Sequence, residues 1–311
     1  MYISFAFKKP VVWGIPYTVT IEPTCLCNLS CPECPVGMGI VDRKKRNLDM
    51  ETYKRIIDEI KRTTIYLILY FQGEPFMHQD LYEMVRYAEE SGIYTSTSTN
   101  GMFVSEETVS KIIVSGLSRL IISIDGTTQA SYEKYRRGGD LQKILNSTSL
   151  LIRQKHKENI FHPYVIFQFV VFRHNIKEVG EIKEIGKKVG VDKVLIKTAQ
   201  IYSSHDEAGL LPDDPMYSRY KIDEQGNLKI KGNLGNQCKR LWRTVVITTD
   251  GELVPCCFDK NANHPMGSIE KSGLKSIWKN RRYSDFRRKI LSGRRSVEIC
   301  NNCSEGLKIY V

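Results

Sequence analysis

The chain has 311 residues, 41% hydrophobic and 26% charged, which is ordinary for a folded protein with a sizeable core. No apolar run is long enough to span a membrane, and "MYISFAFKKPVVWGIP" at the start has neither a charged leader nor a small-residue cleavage site. A cytoplasmic protein without membrane association is therefore expected. The net charge is +11, and much of it lies in 271–295, where ten Lys or Arg face one acid, Asp285. That stretch reads as a solvated helix face, or as a surface for an acidic protein partner or an anionic substrate. No nucleic-acid-binding motif accompanies it.

Taken in chain order, short β-branched and aromatic runs alternate with amphipathic helical stretches. "YTVTIE" (17–22) is a strand, "METYKRIIDEIKR" (50–62) a helix and "IYLILYF" (65–71) a buried strand. A helix over 80–90, a strand over 93–98, a helix over 105–116 capped by Ser105 and a strand over 119–124 follow. A helix over 140–156, a strand over 164–172, a helix over 176–190 and a strand over 193–198 complete the series. Six strands with a helix after each of the first five predict a parallel sheet, barrel-like or open. In such barrels the chemistry sits on loops at the C-terminal ends of the strands. Near residue 200 the pattern breaks into a polar, proline-bearing linker, "SSHDEAGLLPDDP". A hairpin turning at Gln225-Gly226-Asn227 comes next, and from Cys238 a smaller module begins with a second hairpin at Asp250-Gly251. The expected divisions are 1–200, a linker over 201–234 and a module over 235–311.

The nine cysteines are odd in number and gathered near both ends, unlike a secreted disulfide framework. "CLCNLSCPEC" (25–34) follows the first strand, and in it Cys27, Cys31 and Cys34 are spaced C-x3-C-x2-C. Three thiolates satisfy three irons of a four-iron cluster and leave the fourth open to a small ligand. A structural zinc site wants four closed ligands, usually as paired C-x2-C knuckles. From spacing alone, zinc and free thiols remain open readings. Later strand ends carry Gly73-Glu74-Pro75, Thr99-Asn100-Gly101 and Ser123-Ile124-Asp125-Gly126. Each is a common turn sequence, but in order at successive strand ends they describe a polar ligand site.

"EPTCLCNLSCPEC", "GEP", "TNG" and "SIDG…YEKYRRGG" together resemble the radical S-adenosylmethionine superfamily over roughly residues 17–200. The resemblance implies an α/β fold, a partial (β/α)6 TIM-like barrel with a small C-terminal iron–sulfur module. It implies a 4Fe–4S cluster on Cys27, Cys31 and Cys34, whose open iron chelates S-adenosylmethionine. Gly73, Glu74 and Pro75 would face the methionyl amino group, Thr99, Asn100, Ser123 and Asp125 would line the cofactor, and Arg137 would pair with its carboxylate. The family usually has an aromatic residue before the third cysteine, where this chain has Glu33. Cys25 is outside the motif and reads as a buried spare thiol.

Cys238, Cys256, Cys300 and Cys303 form a second set. Alone they fit a zinc ribbon. Beside such a barrel they resemble the short "twitch" form of the SPASM extension, which implies a second 4Fe–4S cluster with four protein ligands. A cluster closed in that way suits electron transfer, and the arrangement is similar to that of deoxy-scyllo-inosamine dehydrogenase. The expected reaction is cleavage of S-adenosylmethionine to a 5′-deoxyadenosyl radical, then hydrogen abstraction from a small sugar- or cyclitol-like substrate with net oxidation. Its alternatives are an epimerase with Cys257 as hydrogen donor, a peptide-modifying radical enzyme and a non-catalytic zinc module. An acidic electron carrier such as flavodoxin or ferredoxin is the expected protein partner.

Overall fold

The computed structural model describes residues 1–44, 46–202, 206 and 208–307, so the polar run read as a linker lies partly outside the described residues, at 203–205 and 207. A short helix, α1 (Tyr2–Phe7), precedes β1 (Thr18–Ile21). Then come α2 (Met50–Ile60), β2 (Tyr66–Ile68), α3 (Leu81–Glu90), β3 (Tyr94–Thr99), α4 (Glu106–Val114) and β4 (Arg119–Ser123). They are followed by α5 (Gln129–Tyr132), α6 (Leu141–Lys157), β5 (Tyr164–Val171), α7 (Val179–Val189) and β6 (Lys193–Thr198). Several of these helix starts show side-chain caps, which satisfy amides the helix leaves unpaired. Asp49 accepts from Thr52 N at 2.8 Å, Asp140 accepts from Lys143 N at 2.9 Å, and Ser105 forms a capping box with Thr108.

Strands β1 to β6 pair in parallel and in sequence order. Their side chains alternate as the pleat demands. Val19, Ile21, Leu67, Leu69, Leu120, Ile122, Val165 and Phe167 pack outward on Tyr53, Ile56, Met84 and Ile112 of the helices. The opposite face, set by the same register, carries Tyr66, Ser96, Arg119, Gln168 and Lys193. Ile68, Ile121, Ile166 and Leu195 share that inner face, which is mixed rather than wholly polar.

The rest of the chain adds β7 (Tyr220–Ile222) and β8 (Leu228–Ile230), a hairpin apart from the main sheet. Next are β9 (Thr244–Ile247), β10 (Glu252–Val254), β11 (Gly267–Ser268), α8 (Leu274–Lys279), α9 (Arg281–Gly293) and α10 (Glu298–Asn301). The cysteine-bearing module is not a separate sheet. β9 lies parallel to β1, pairing Thr18 with Thr244 and Ile21 with Ile247, and β10 and β11 extend the sheet antiparallel. Among the described residues the order is therefore β11-β10-β9-β1-β2-β3-β4-β5-β6. A buried ion pair straps the first cysteine loop to this extension. Arg43 donates both terminal nitrogens to Glu22 at 2.7 Å and its Nε to Lys260 O at 3.0 Å, while Glu22 also accepts from Thr249 N at 3.1 Å.

Of the ten basic residues in 271–295 eight are exposed, as a solvated face expects, and two, Arg287 and Arg294, are not. Arg287 is 1% exposed, donates to Leu241 O at 2.9 Å and Trp278 O at 2.8 Å, and lies 4.2 and 3.9 Å from the Trp278 and Tyr283 ring centres. Burial pulls its guanidinium down to about 10, against the help of Tyr283. Arg294 is equally buried. A long apolar stem and a flat cation that stacks on rings make arginine fit such an interior, so the charge count overstated the basic surface.

Candidate active site

The loop after β1 carries the first cysteines. Cys31 is buried, Cys27 and Cys34 are partly exposed, and all are free thiols. The loop turns back tightly on itself, with Cys34 N donating to Cys31 O at 3.2 Å. Gly37 closes it, and a Cβ there would meet Cys31 N and O at 2.5 Å, a distance no side chain tolerates. Backbone and side-chain donors point at the sulfurs. Leu29 N is 3.5 Å from Cys27 Sγ, and Arg136 Nη1 is 3.9 Å from Cys31 Sγ. Burial raises both of these thiols, Cys31 to about 11, so a bound cation is what would hold them as thiolates. Cys25 points elsewhere: its thiol lies 3.3 Å from Lys44 O and accepts from Arg46 N at 3.2 Å.

The loops after β2 and β3 lock onto this one. Gly73 has φ +72°, and a Cβ there would meet Thr24 O and Leu26 O at 2.6 Å. Glu74 N donates to Leu26 O at 2.6 Å, and Pro75 opens a short 3₁₀ turn, Pro75–Met77. The Glu74 carboxylate is buried and accepts from Phe76 N at 3.1 Å, Thr99 Oγ1 at 2.8 Å and Asn100 N at 2.7 Å. A carboxylate has about four lone-pair sites, so one stays open. Burial raises Glu74 to about 7, more than its hydrogen bonds lower it. Asn100 reaches Asn28 Oδ1 at 2.8 Å, joining the third strand end to the cysteine loop.

After β4, Ser123 is buried and its hydroxyl has no hydrogen-bond partner among the described residues. Asp125 is committed: it accepts from Arg136 Nε at 2.5 Å and Val170 N at 2.6 Å. Its part is to hold Arg136 beside Cys31. Burial works against the Arg136 charge, but Asp125 and Cys31 outweigh it. Arg137, the expected cofactor partner, is exposed, and its carbonyl accepts from Ser30 N at 3.2 Å. Arg136 was missed. The doubled arginine was legible, but not which of the two turns inward. Glu33 accepts from Tyr202 N at 2.9 Å, tying the cysteine loop to the segment after β6.

The second set is built around Arg294. Cys238, Cys300 and Cys303 are buried, Cys256 is partly so, and Arg294 Nη2 lies 3.2 Å from Cys303 Sγ. Its Nη1 donates to Glu305 O at 3.0 Å, while its Nε has no partner among the described residues. Cys238, Cys300 and Cys303 all bear on the Arg294 charge, and a buried cation beside thiols suits an anionic cluster better than neutral packing. Cys257 packs beside Phe71, Val246 and Val254, and its Sγ receives Arg240 Nη1 at 3.5 Å.

A mostly parallel sheet with free thiols on its first loop and on an appended module, and with polar loops at its strand ends, is a setting that suits an iron–sulfur enzyme with a small polar cofactor. Residues 21–194 match the Radical SAM superfamily and residues 238–304 an iron-sulfur cluster-binding domain, SPASM; the chain belongs to the radical SAM superfamily. It is a radical S-adenosylmethionine enzyme with 4Fe–4S clusters. Its fold is similar to the crystal structure of BtrN in complex with AdoMet and 2-DOIA, with TM-score 0.59, 18% identity and 94% of each chain covered. It is also similar to Streptococcus suis SuiB bound to S-adenosylmethionine, with TM-score 0.68, 14% identity, and 89% of this chain and 68% of that one covered. Native anSMEcpe with bound AdoMet gives TM-score 0.65 at 15% identity over 87% of this chain and 82% of that one. Among the described residues no helix is long and apolar enough to cross a membrane.

Proposed function

We propose that this enzyme takes a hydrogen atom from a small polar, sugar- or cyclitol-like molecule and oxidises it. Cys27, Cys31 and Cys34 hold one cluster, and Cys238, Cys256, Cys300 and Cys303 hold another. When bound, these groups and S-adenosylmethionine supply one-electron cleavage of the cofactor, abstraction from an unactivated carbon, and an acceptor for the electron released on oxidation. The chain's own residues bind and orient. The open lone pair of Glu74 receives the methionyl ammonium, Thr99 and Asn100 hold that carboxylate in place, and the free Ser123 hydroxyl meets the cofactor. Asp125 fixes Arg136 against Cys31, which balances thiolate charge.

The observation that carries this reading is the position of Tyr202. Its amide is bound to Glu33, beside Cys34, and the carbonyl of Ile201 just before it accepts from Asn302 Nδ2, beside Cys303. The segment therefore stands between the two cysteine sets, where a substrate would be within reach of both. The equal coverage with BtrN, whose crystal structure contains 2-DOIA, supports a small substrate.

A second reading, epimerisation, is favoured by Cys257, which packs on the inner-face cluster. The test is anaerobic turnover in deuterated water with candidate polyols, for wild type and Cys257→Ala. Oxidation predicts a carbonyl product, no solvent deuterium at the reacting carbon and retained turnover in the variant. Solvent deuterium in the wild-type product, with product lost in the variant, would establish the epimerase. Turnover only with a peptide would displace both readings.

A further inference from the structure

The segment after β6 is held from both cysteine sets at once. Ile201 and Tyr202 lie in neither a helix nor a strand, so no backbone ladder pairs their polar groups. Three side chains do so instead. Tyr202 N donates to Glu33 Oε2 at 2.9 Å. Ile201 N donates to Tyr220 Oη at 2.9 Å, and Ile201 O accepts from Asn302 Nδ2. Tyr220 Oη donates to Asn302 Oδ1 at 2.6 Å, which closes the network. Ile201 and Tyr220 are buried and pack with Phe172, Leu210 and Leu211. Glu33 directly precedes Cys34, and Asn302 directly precedes Cys303, so each is next to the last cysteine of its set.

Neither residue is explained by its own loop. Glu33 stands where the superfamily usually has an aromatic residue, and it is only 8% exposed. A buried carboxylate beside three thiols is unfavourable, because thiolates on a cluster repel it. A donor from outside the loop offsets part of that cost, and the Tyr202 amide is such a donor. Asn302 gives both ends of its amide to Ile201 and Tyr220, which lie outside its own loop. The two residues therefore meet on one short segment, and that segment joins the two loops.

We propose that Glu33, Tyr220 and Asn302 are positioning residues, which use the 201–202 segment as a spacer to fix how far apart the two clusters stand. The inference rests on the two cysteine sets holding those clusters. Separation matters because a misplacement of about 1 Å can slow a reaction about a hundredfold. The test is pulsed electron paramagnetic resonance on anaerobically reconstituted enzyme, with both clusters reduced by a europium(II) chelate. It reads the distribution of cluster–cluster distances. Wild type should give one narrow distribution. Glu33→Ala, Asn302→Ala and Tyr220→Phe should each broaden it at least about twofold, since each removes a bond that orders the segment. Glu33→Gln keeps an acceptor for the Tyr202 amide and should match wild type. Because all three residues act on one spacer, Glu33→Ala/Asn302→Ala should be no broader than the broader single variant, whereas loops held independently would add. Gln225→Ala, at the exposed turn of the β7–β8 hairpin, should leave the distribution unchanged. An unchanged distribution in Glu33→Ala and Tyr220→Phe, a Glu33→Gln variant as broad as Glu33→Ala, or widths that add in the double variant would each overturn the proposal. If Glu33→Ala loses iron, Tyr220→Phe decides on the same criterion, since Tyr220 is remote in sequence from every cysteine. Iron content of the wild type is measured in parallel. Absence of a second cluster defeats the cluster reading and the inference with it, whereas two clusters at a distance indifferent to all three residues defeat the inference alone.

Discussion

Glu74 is a carboxylate buried for a partner, and its cost has a measurable sign. Burial raises it from its ordinary 4.5 to about 7 in the folded chain. Its neutral form is favoured on folding, so that stabilisation is complete below about pH 4.5 and is lost as pH rises to about 7. The loss is on the order of 3 kcal/mol. Cluster-loaded enzyme without S-adenosylmethionine should therefore lose stability across that window. Glu74→Gln should remove this slope while weakening S-adenosylmethionine binding at least about tenfold; denaturant titrations across pH and equilibrium binding check the two halves. A variant that binds the cofactor normally would remove Glu74 from the site. At the first cysteines, Cys25→Ala should keep its iron, because that thiol bonds to the backbone of Lys44 and Arg46. Cys27→Ala should lose the first cluster's iron. The reverse result would shift the ligand register to Cys25.

At the scale of elements, α9 presents two kinds of arginine. Arg288 is exposed and pairs with Asp285 at 2.5 Å, while Arg287 is an interior strut between aromatic rings. If α9 receives an acidic electron carrier, Arg288→Glu/Lys289→Glu should slow flavodoxin-supported turnover severalfold, more at low salt, and leave dithionite-supported turnover intact. Arg287→Glu should instead lower the thermal midpoint under any reductant, since it leaves Leu241 O and Trp278 O without their donor. Equal loss with both reductants in the α9 surface variant would remove that helix as the docking face. The difference between 287 and 288 was not legible in the sequence. Helical period marks a buried stripe, but a run of arginines hides which of them it contains. Caps and composition, by contrast, were local signals, and Ser105 and the β-branched and aromatic runs of β4 and β5 were readable for that reason.

Across the whole molecule, the parallel order of β1 to β6 and the strand-end motifs could be read because each is a short, contiguous pattern. The union of β9 with β1 could not. It joins residues more than two hundred positions apart, and nothing in either strand's own pattern names its partner. The same holds for α1, too short to show a period, whose Phe5 packs edge-on to Trp242 at 5.2 Å. Pairing β9 with β1 carries the auxiliary cysteines to the same sheet as the first cysteine loop, which makes a two-cluster enzyme of one sheet. That is the central claim, and iron counting with a cleavage assay tests it most directly. Anaerobically reconstituted wild type should carry about eight irons per chain. The Cys27→Ala/Cys31→Ala/Cys34→Ala variant should keep about half of that iron and form no 5′-deoxyadenosine. Retained cleavage in that variant, or a wild type holding only about four irons, would contradict the account.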